Sequence, residues 1–499
     1  MKAQHSFTTA FLIALVVFGL GCGGTITTGT AKKLVNNKPA ADGTCPSGQT
    51  LCGVGVFAIC VDLQNAPNHC GTCDRACSPG IACQTGICQQ TVCTGATIPF
   101  SGQPTTGTPT TGFMPYTPGY TPATQILADV NGDGRLDRIE WLAAPYACQD
   151  CSATLSEFRV SLGQPGGTFA PPDTYNASAA ISKIFATDAN GDGLADLYVL
   201  SSTNVDDQNA RYHAELWLGQ KDGHLRRSDA ASNSANASDS YFSETAIGDL
   251  SGDGWPDLVL PAPFTDFDSP PKISVYLSDS TGALHLSQTF VAWSGSTFIG
   301  DWNGDGKPDL MLLSGSMELL YNRGDGTFDQ PLDCGLSVGG GSMGEPDLVV
   351  EDFNRDGRMD IASEYMMSNS RVGVMLGLGG CGFAPISYYD VPGSSGGFLR
   401  AADMNGDGIL DLVSVAPVSG PDPKDPTGPA TVITDNLLSV LIGNPDGTFQ
   451  LQGAPISLGP NWITNVTIGE VTGDQRPDIL VSSSDGQTGH TSTWENTCQ

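Results

Sequence analysis

Basic side chains are scarce in this chain of 499 residues: 22 Lys and Arg stand against 53 Asp and Glu, a formal charge of -31. Phosphate binding needs clustered Lys and Arg, so nucleic acid is excluded as a partner. Histidine is rarer still, with six copies and no pair at metal-ligand spacing. Beyond the N-terminus no stretch is apolar and long enough to span a bilayer. The repetitive part of the chain lacks the 3.6-residue period of amphipathic helices. Apolar residues still make up 39%, enough for a packed core rather than wholesale disorder. Glycine (63) and proline (33) are what the chain has in quantity, and they point to a turn-rich, all-β protein.

The N-terminus places one Lys before an apolar run from Ala10 to Leu20 and ends in small residues, the layout of a secretory signal. Its end, "GLGC", resembles a bacterial lipobox with Gly19 where Leu is usual. The resemblance implies a signal over residues 1–21, a lipidated Cys22, and an outer-membrane or cell-surface location; simple secretion is the competing reading. Fifteen cysteines in an exported chain imply disulfides, and fourteen remain once Cys22 is set aside.

Residues 22–44 read as a flexible tether. Residues 45–93 hold Cys45, Cys52, Cys60, Cys70, Cys73, Cys77, Cys83, Cys88 and Cys93, a module too short to be held by a core alone. "CVDLQNAPNHCGTCDRACSPGIACQTGIC" resembles the cysteine-rich modules of stigma-specific-like proteins. Zinc at Cys70-x2-Cys73 beside His69 is the rival, weakened by the irregular gaps that follow. Cys93 pairs either within this module or with Cys498, a staple worth about 4–5 kcal/mol by loop entropy. Cys334 and Cys381 are left to pair with each other, and Cys148 and Cys151 with each other or a partner.

Seven nonapeptides then recur: "DVNGDGRLD" at Asp129, "DANGDGLAD" at Asp188, "DLSGDGWPD" at Asp249, "DWNGDGKPD" at Asp301, "DFNRDGRMD" at Asp352, "DMNGDGILD" at Asp403 and a worn "EVTGDQRPD" at Glu470. Their first positions lie 59, 61, 52, 51, 51 and 67 residues apart, a period that signals a propeller, solenoid or array. An apolar, strand-length stretch precedes each nonapeptide ("QILA", "STFIG") and another follows it ("PDLMLL", "LDLVSV"). A third strand comes next ("AELWLG", "LSVLIG"), then a glycine turn into a fourth, marked at Phe169, Leu225, Leu284, Phe328, Phe383 and Phe449. Four strands in each of seven units predict an all-β, seven-bladed β-propeller over residues 94–499. Gly112 and Phe113 look like a fourth strand without the first three, and the chain ends inside a third. A strand near Phe113 is therefore expected to complete the last blade.

These repeats resemble the FG-GAP and VCBS family, whose best-known members form the integrin α-subunit propeller and some fungal lectins. The likeness covers roughly residues 113–498.

The nonapeptides hold 21 of the 53 acidic residues, three to a loop, where repulsion is unfavourable unless a cation neutralises it. A bare hairpin turn explains "NGDG" but not the acids at positions 1 and 9. Hard oxygens at positions 1, 3, 5 and 9, with the carbonyl at 7, suit Ca2+ better than Mg2+. The ligands would be Asp129, Asn131, Asp133, Arg135 and Asp137 in the first loop, and Asp188, Asn190, Asp192, Leu194 and Asp196 in the second. The third loop offers Asp249, Ser251, Asp253, Trp255 and Asp257, and the fourth Asp301, Asn303, Asp305, Lys307 and Asp309. The fifth and sixth offer Asp352, Asn354, Asp356, Arg358 and Asp360, then Asp403, Asn405, Asp407, Ile409 and Asp411. The seventh keeps Glu470, Asp474 and Asp478, but Gln475 takes the glycine position, so six calcium ions are expected, seven if that loop fills. An EF-hand needs Glu at position 12, which only Glu140 supplies, and flanking helices, which are missing.

The loops joining strands two to three and four to one vary in length: 144–157, 201–213, 262–272 and 416–436. A uniform, metal-stapled face opposite a variable rim assigns recognition to the rim. Tyr146, Phe264 and Phe267 are its aromatics, available for a sugar or protein, or simply for ordering their own loops. "GGSMG" at Gly340 and "GSSGG" at Gly393 fit G-x-S-x-G, but neither stands at a strand-to-helix turn. Arg211, His213, Lys272 and Lys424 are too scattered to serve a uronic-acid lyase. The reading is a monomeric, surface-tethered binding or adhesion protein for a glycan or protein, without a catalytic constellation. The alternatives are a polysaccharide lyase or glycosidase on the same scaffold, or a structural envelope protein.

Overall fold

The computed structural model describes residues 123–142, 156–206, 209–228, 233–237, 245–261, 272–291, 296–313, 316–336, 348–364, 371–394, 397–421, 431–474, 476–485 and 489–497. Upstream it describes 50–52, 59–61, 64, 83–84, 87–88 and 100–101. The expected signal, tether and lipidated Cys22 lie outside these residues, as does most of the cysteine-rich module.

Seven antiparallel sheets follow one another along the chain, and in the first six the four main strands stand in chain order. Blade 1 begins with Ala123–Ala128, Asp137–Leu142 and Glu157–Ser161; blade 4 with Ser296–Gly300, Asp309–Leu313 and Met317–Leu320. The first strands of blades 1 and 2, 3 and 4, 5 and 6, 6 and 7, and 7 and 1 lie side by side, closing the ring. The molecule is a seven-bladed β-propeller.

The last blade borrows its fourth strand from upstream, but from Phe100–Ser101, which pairs with Asn496 and Glu495. The strand expected near Phe113 is not the one used, and Phe113 itself lies outside the described residues. The same clasp topology is thus made by an earlier segment.

Fourth strands fall into two groups that the glycine-turn pattern does not separate. In blades 2, 3 and 6 they start at the predicted positions, Leu225, Leu284 and Phe449. In blades 1, 4 and 5 the segments at Phe169, Phe328 and Phe383 instead make a small separate hairpin or bridge. The fourth strands there come later, at Asp173–Asn176, Leu332–Asp333 and Ser387–Asp390. Proline explains the split. Pro171 and Pro172, Pro331, and Pro385 follow those three turns, and proline cannot donate to a ladder.

Two expected rim loops prove to be mostly strand. Asp196–Asp206 and Asn209–Gly219 form a long hairpin in blade 2, extended sideways by Asn233–Ala237 on the Ala210–Ala214 edge. Asp411–Pro421 and Thr431–Gly443 form another in blade 6. Their Thr, Val, Ile and Ser content suits a pleated ribbon, which outweighs the loop signal of the prolines at 421–429. Tyr146, Cys148, Cys151, Phe264, Phe267 and Lys424 lie outside the described residues.

Among the described residues six clusters of buried apolar side chains hold the ring, each shared by two consecutive blades. Trp141, Phe158 and Val160 meet Ile181, Leu197 and Trp217 between blades 1 and 2. Trp302 and Met311 meet Ile361 and Met375 between blades 4 and 5. There the predicted Cys334–Cys381 disulfide adds a covalent link.

Candidate functional site: seven acidic loops and a variable rim

Each nonapeptide turns between strands one and two on what we call the base face. Its position 2 is always apolar and buried (Val130, Ala189, Leu250, Trp302, Phe353, Met404, Val471), plugging the loop into the inter-blade core. Position 6 needs a left-handed backbone, with φ of 86° at Gly134 and 92° at Gly254. Arg355 takes position 4 of the fifth loop, where the others have glycine, and is the one described non-glycine residue with positive φ.

Position 9 is a buried pin. Asp137, Asp196, Asp257, Asp309, Asp360, Asp411 and Asp478 are all 0% exposed. In every blade one carboxylate oxygen accepts the position-2 amide, as from Val130 to Asp137 at 2.9 Å and Met404 to Asp411 at 2.9 Å. The other accepts an amide at the end of strand three, as from Gly163 at 2.8 Å, Asn322 at 2.7 Å and Asn496 at 3.0 Å. One carboxylate thus ties the loop to strand three. Glycine recurs at that strand-three position because a Cβ on Gly377 or Gly443 would lie 2.2 Å from the position-8 carbonyl. Ser278 stands there in blade 3, and Asn322 and Asn496 in blades 4 and 7, where the asparagine amides reach the preceding blade, at Leu250 O (2.7 Å) and Met404 O (2.8 Å).

Positions 1, 3 and 5 organise the rest of the turn. Asp129 accepts amides from Gly132 (2.7 Å) and Gly134 (2.9 Å), Asn131 from Asp133 (2.9 Å), and Asp133 from Arg135 (2.9 Å). The same bonds return in the second and fourth loops. In four loops the position-7 side chain also pairs with the position-5 carboxylate: Arg135 with Asp133, Lys307 with Asp305 (3.2 Å), Arg358 with Asp356 (3.3 Å) and Arg476 with Asp474. Leu194, Trp255 and Ile409 leave the second, third and sixth loops without that counter-charge. Leu194 and Trp255 instead cover the position-4 glycines of the preceding loops, Gly132 and Gly191.

Burial pushes the position-9 carboxyls upward, to about 7 at Asp137, Asp196 and Asp257 and about 8 at Asp411. Backbone amide donors oppose the shift, and neighbouring loop carboxylates add to it. Burial likewise raises Asp403, at position 1, to about 6. Among the described residues no three His, Cys, Asp or Glu side chains converge into a group of metal-holding geometry. The oxygens instead face the amides of their own turn. Glu140, the one acid at position 12, lies away from the loop, buried and 3.4 Å from the Arg138 Nε.

The opposite face carries the two ribbons and an aromatic that the loop pattern missed. Trp462, first residue of the inner strand of blade 7, is 62% exposed. Its approach segment is tightly held. Asp435 accepts the Ser457 hydroxyl and the Gly459 amide, each at 2.9 Å, and buried Asn436 donates to Gly459 O and Asn461 O, each at 2.7 Å. "GPNW" in a turn carried a signal only in hindsight: a large apolar residue right after Asn and Pro, outside the strand's buried alternation.

Residues 188–260 and 301–363 match the FG-GAP-like repeat family. No curated protein matches the chain. One similar solved structure is BBS1N in complex with ARL6DN, soaked with lead: 11% identical, covering 77% of this chain and 97% of that one, TM-score 0.41. Another is the Bacillus licheniformis rhamnogalacturonan lyase PL11: 14% identical, covering 81% and 75%, TM-score 0.40. Blade count and strand order make the described chain a seven-bladed β-propeller, two stretches of which, residues 188–260 and 301–363, match FG-GAP-like repeats.

Proposed function

We propose that this propeller is a calcium-stiffened binding protein, held at the cell surface by a lipid on Cys22, that takes a glycan or protein ligand on its ribbon-bearing face. The carrying observation is the contrast between faces. Every base loop repeats the same buried carboxylate pin, whereas strand lengths on the other face differ from blade to blade and leave Trp462 exposed on a bonded segment. A rigid disc presenting unlike loops is a scaffold for recognition, and a preordered aromatic contributes contact area at little entropic cost.

The base loops suit calcium by donor chemistry. Asp and Asn oxygens at positions 1, 3, 5 and 9 are hard ligands, and the Ser251 Oγ, at position 3 of the third loop, is buried without a hydrogen-bond partner. Bound calcium would supply charge neutralisation and stiffness there, away from the ligand. Loops two, three and six, with no basic residue at position 7, have the greatest need of it.

The test is a glycan and protein-ligand screen of the purified chain, with and without chelator, beside Trp462→Ala. Ligand capture by the wild type that falls at least ten-fold in the variant supports the reading; polysaccharide turnover, or capture indifferent to Trp462, overturns it. Labelling with a lipid precursor tests the anchor: label must appear on the wild type and vanish in Cys22→Ala.

A further inference from the structure

Seven blades make seven interfaces, yet among the described residues only six carry a cluster of buried apolar side chains. The interface between blades 7 and 1 has none. In blade 7, Val466, Ile468, Ile479, Val481 and Trp494 turn toward blade 6. The alternate residues, Asn465, Thr467, Leu480, Ser482 and Thr493, therefore face blade 1. Blade 1 answers in kind. Its Ile139, Trp141, Phe158 and Val160 turn toward blade 2, so Gln125, Glu140 and Arg159 in one cross-strand row, and Leu127, Arg138 and Ser161 in the next, face blade 7.

Arg159 pairs with Glu157 at 2.7 Å, but several of the other polar groups are buried with atoms left unpaired. Gln125 is 2% and Glu140 3% exposed. Both amide atoms of Gln125, the Glu140 Oε2 and the Ser161 Oγ are buried with no hydrogen-bond partner, while the Glu140 Oε1 forms an ion pair with the Arg138 Nε at 3.4 Å. Direct ties across the seam include the Asn465 amide on Gln125 O at 2.8 Å, and Leu127 and Leu136 closing over Gly469. The clasp does not help, because Phe100 packs into the cluster between blades 6 and 7.

We infer that the ring has a wet seam between blades 7 and 1, and that this is where it opens. Buried polar atoms without protein partners need water, and a polar site of this kind holds it. Separating blades 1 and 7 uncovers the scattered apolar side chains of Leu127, Leu136 and Leu480, whereas parting any other pair breaks a contiguous apolar cluster. Sheets stay intact in this motion: the clasp remains on blade 7, and only the side-chain layer between two blades parts. The propeller is a ring with one built-in breathing point, not a uniformly locked disc.

Thiol labelling of the native, full-length chain tests this. Ser482→Cys places a small probe on the seam face, and Ala362→Cys places one inside the cluster between blades 5 and 6; both parent residues are buried, at 6% and 0%. Peptide mapping separates each probe from the native cysteines. Ser482→Cys should label at least ten-fold faster. A second arm ties the seam: a Cβ on Gly167 would lie 3.7 Å from the Thr472 Cβ, within disulfide reach. Joining Gly167→Cys to Thr472→Cys should then slow the Ser482→Cys reaction to the Ala362→Cys rate. Equal rates at the two probes overturn the inference, as does Ser482→Cys labelling that the cross-link leaves unchanged.

Discussion

The two faces of the propeller solve opposite problems with the same strands. On the base, one solution repeats seven times: a buried Asp at position 9, an apolar plug at position 2, and amides turned onto carboxylates. On the rim, blades 2 and 6 lengthen into ribbons, blade 2 gains a side strand, and blade 7 exposes a tryptophan. Repetition marks where the fold is held. Divergence marks where the surface is free to differ, because a residue that satisfies no neighbour can change without leaving a buried group unpaired.

The sharpest way to break this comparison is to remove a pin. Asp411→Ala strands the amides of Met404 and Gly443, both bonded to Asp411 at 2.9 Å, and should cost about 3–5 kcal/mol in urea unfolding. A loss below 1 kcal/mol would mean the base is no stiffer than the rim. Treatment with a chelator comes next. In metal-free protein the position-9 carboxyls, raised to between about 6 and 8, hold protons that the unfolded chain has released above pH 4. Folding then binds protons, so their contribution is fully present below pH 4 and is lost as pH rises through 6 to 8. A thermal-melt series should show Tm of chelated protein falling over that window, with added calcium restoring most at its upper end. A flat profile, indifferent to calcium, would separate the loops from metal altogether.

The rim should answer differently. Trp462→Ala should leave Tm within about 1 °C while abolishing ligand capture, since the side chain is 62% exposed. The smallest effect belongs to Asp390→Ala, which removes an exposed ion pair with Arg371 at 2.6 Å and should change stability by less than about 0.5 kcal/mol. If that rim substitution matched the Asp411→Ala loss, the division into a holding face and a free face would collapse.

Much of this was readable along the chain. Seven in-phase nonapeptides flanked by strand-length apolar runs predict the blade count, and the strands they bracket stand where expected, from Ala123–Ala128 to Asp478–Ser484. The Cys334–Cys381 pair follows as well. Reading failed where one local signal had two outcomes. Glycine turns looked alike in all blades, yet prolines at 171, 172, 331 and 385 push the fourth strand downstream in three of them. Proline-rich segments looked like loops, yet β-branched flanks in blade 6 extend into a ribbon. Position 9 read as a metal ligand alone, and its second role, bonding two backbone amides, depends on a partner strand 13 to 32 residues away.

Local chemistry, then, determined what repeats: the turn, its acids, the apolar plug and the number of blades, because each depends on neighbours within one short segment. Tertiary structure alone decided what closes the ring and how well. Which residues serve as clasp, which aromatic stays in water, and which of seven interfaces is polar depend on residues far apart in the chain being brought face to face. Gln125 and Asn465 are ordinary residues in their own strands; only ring closure sets them against each other.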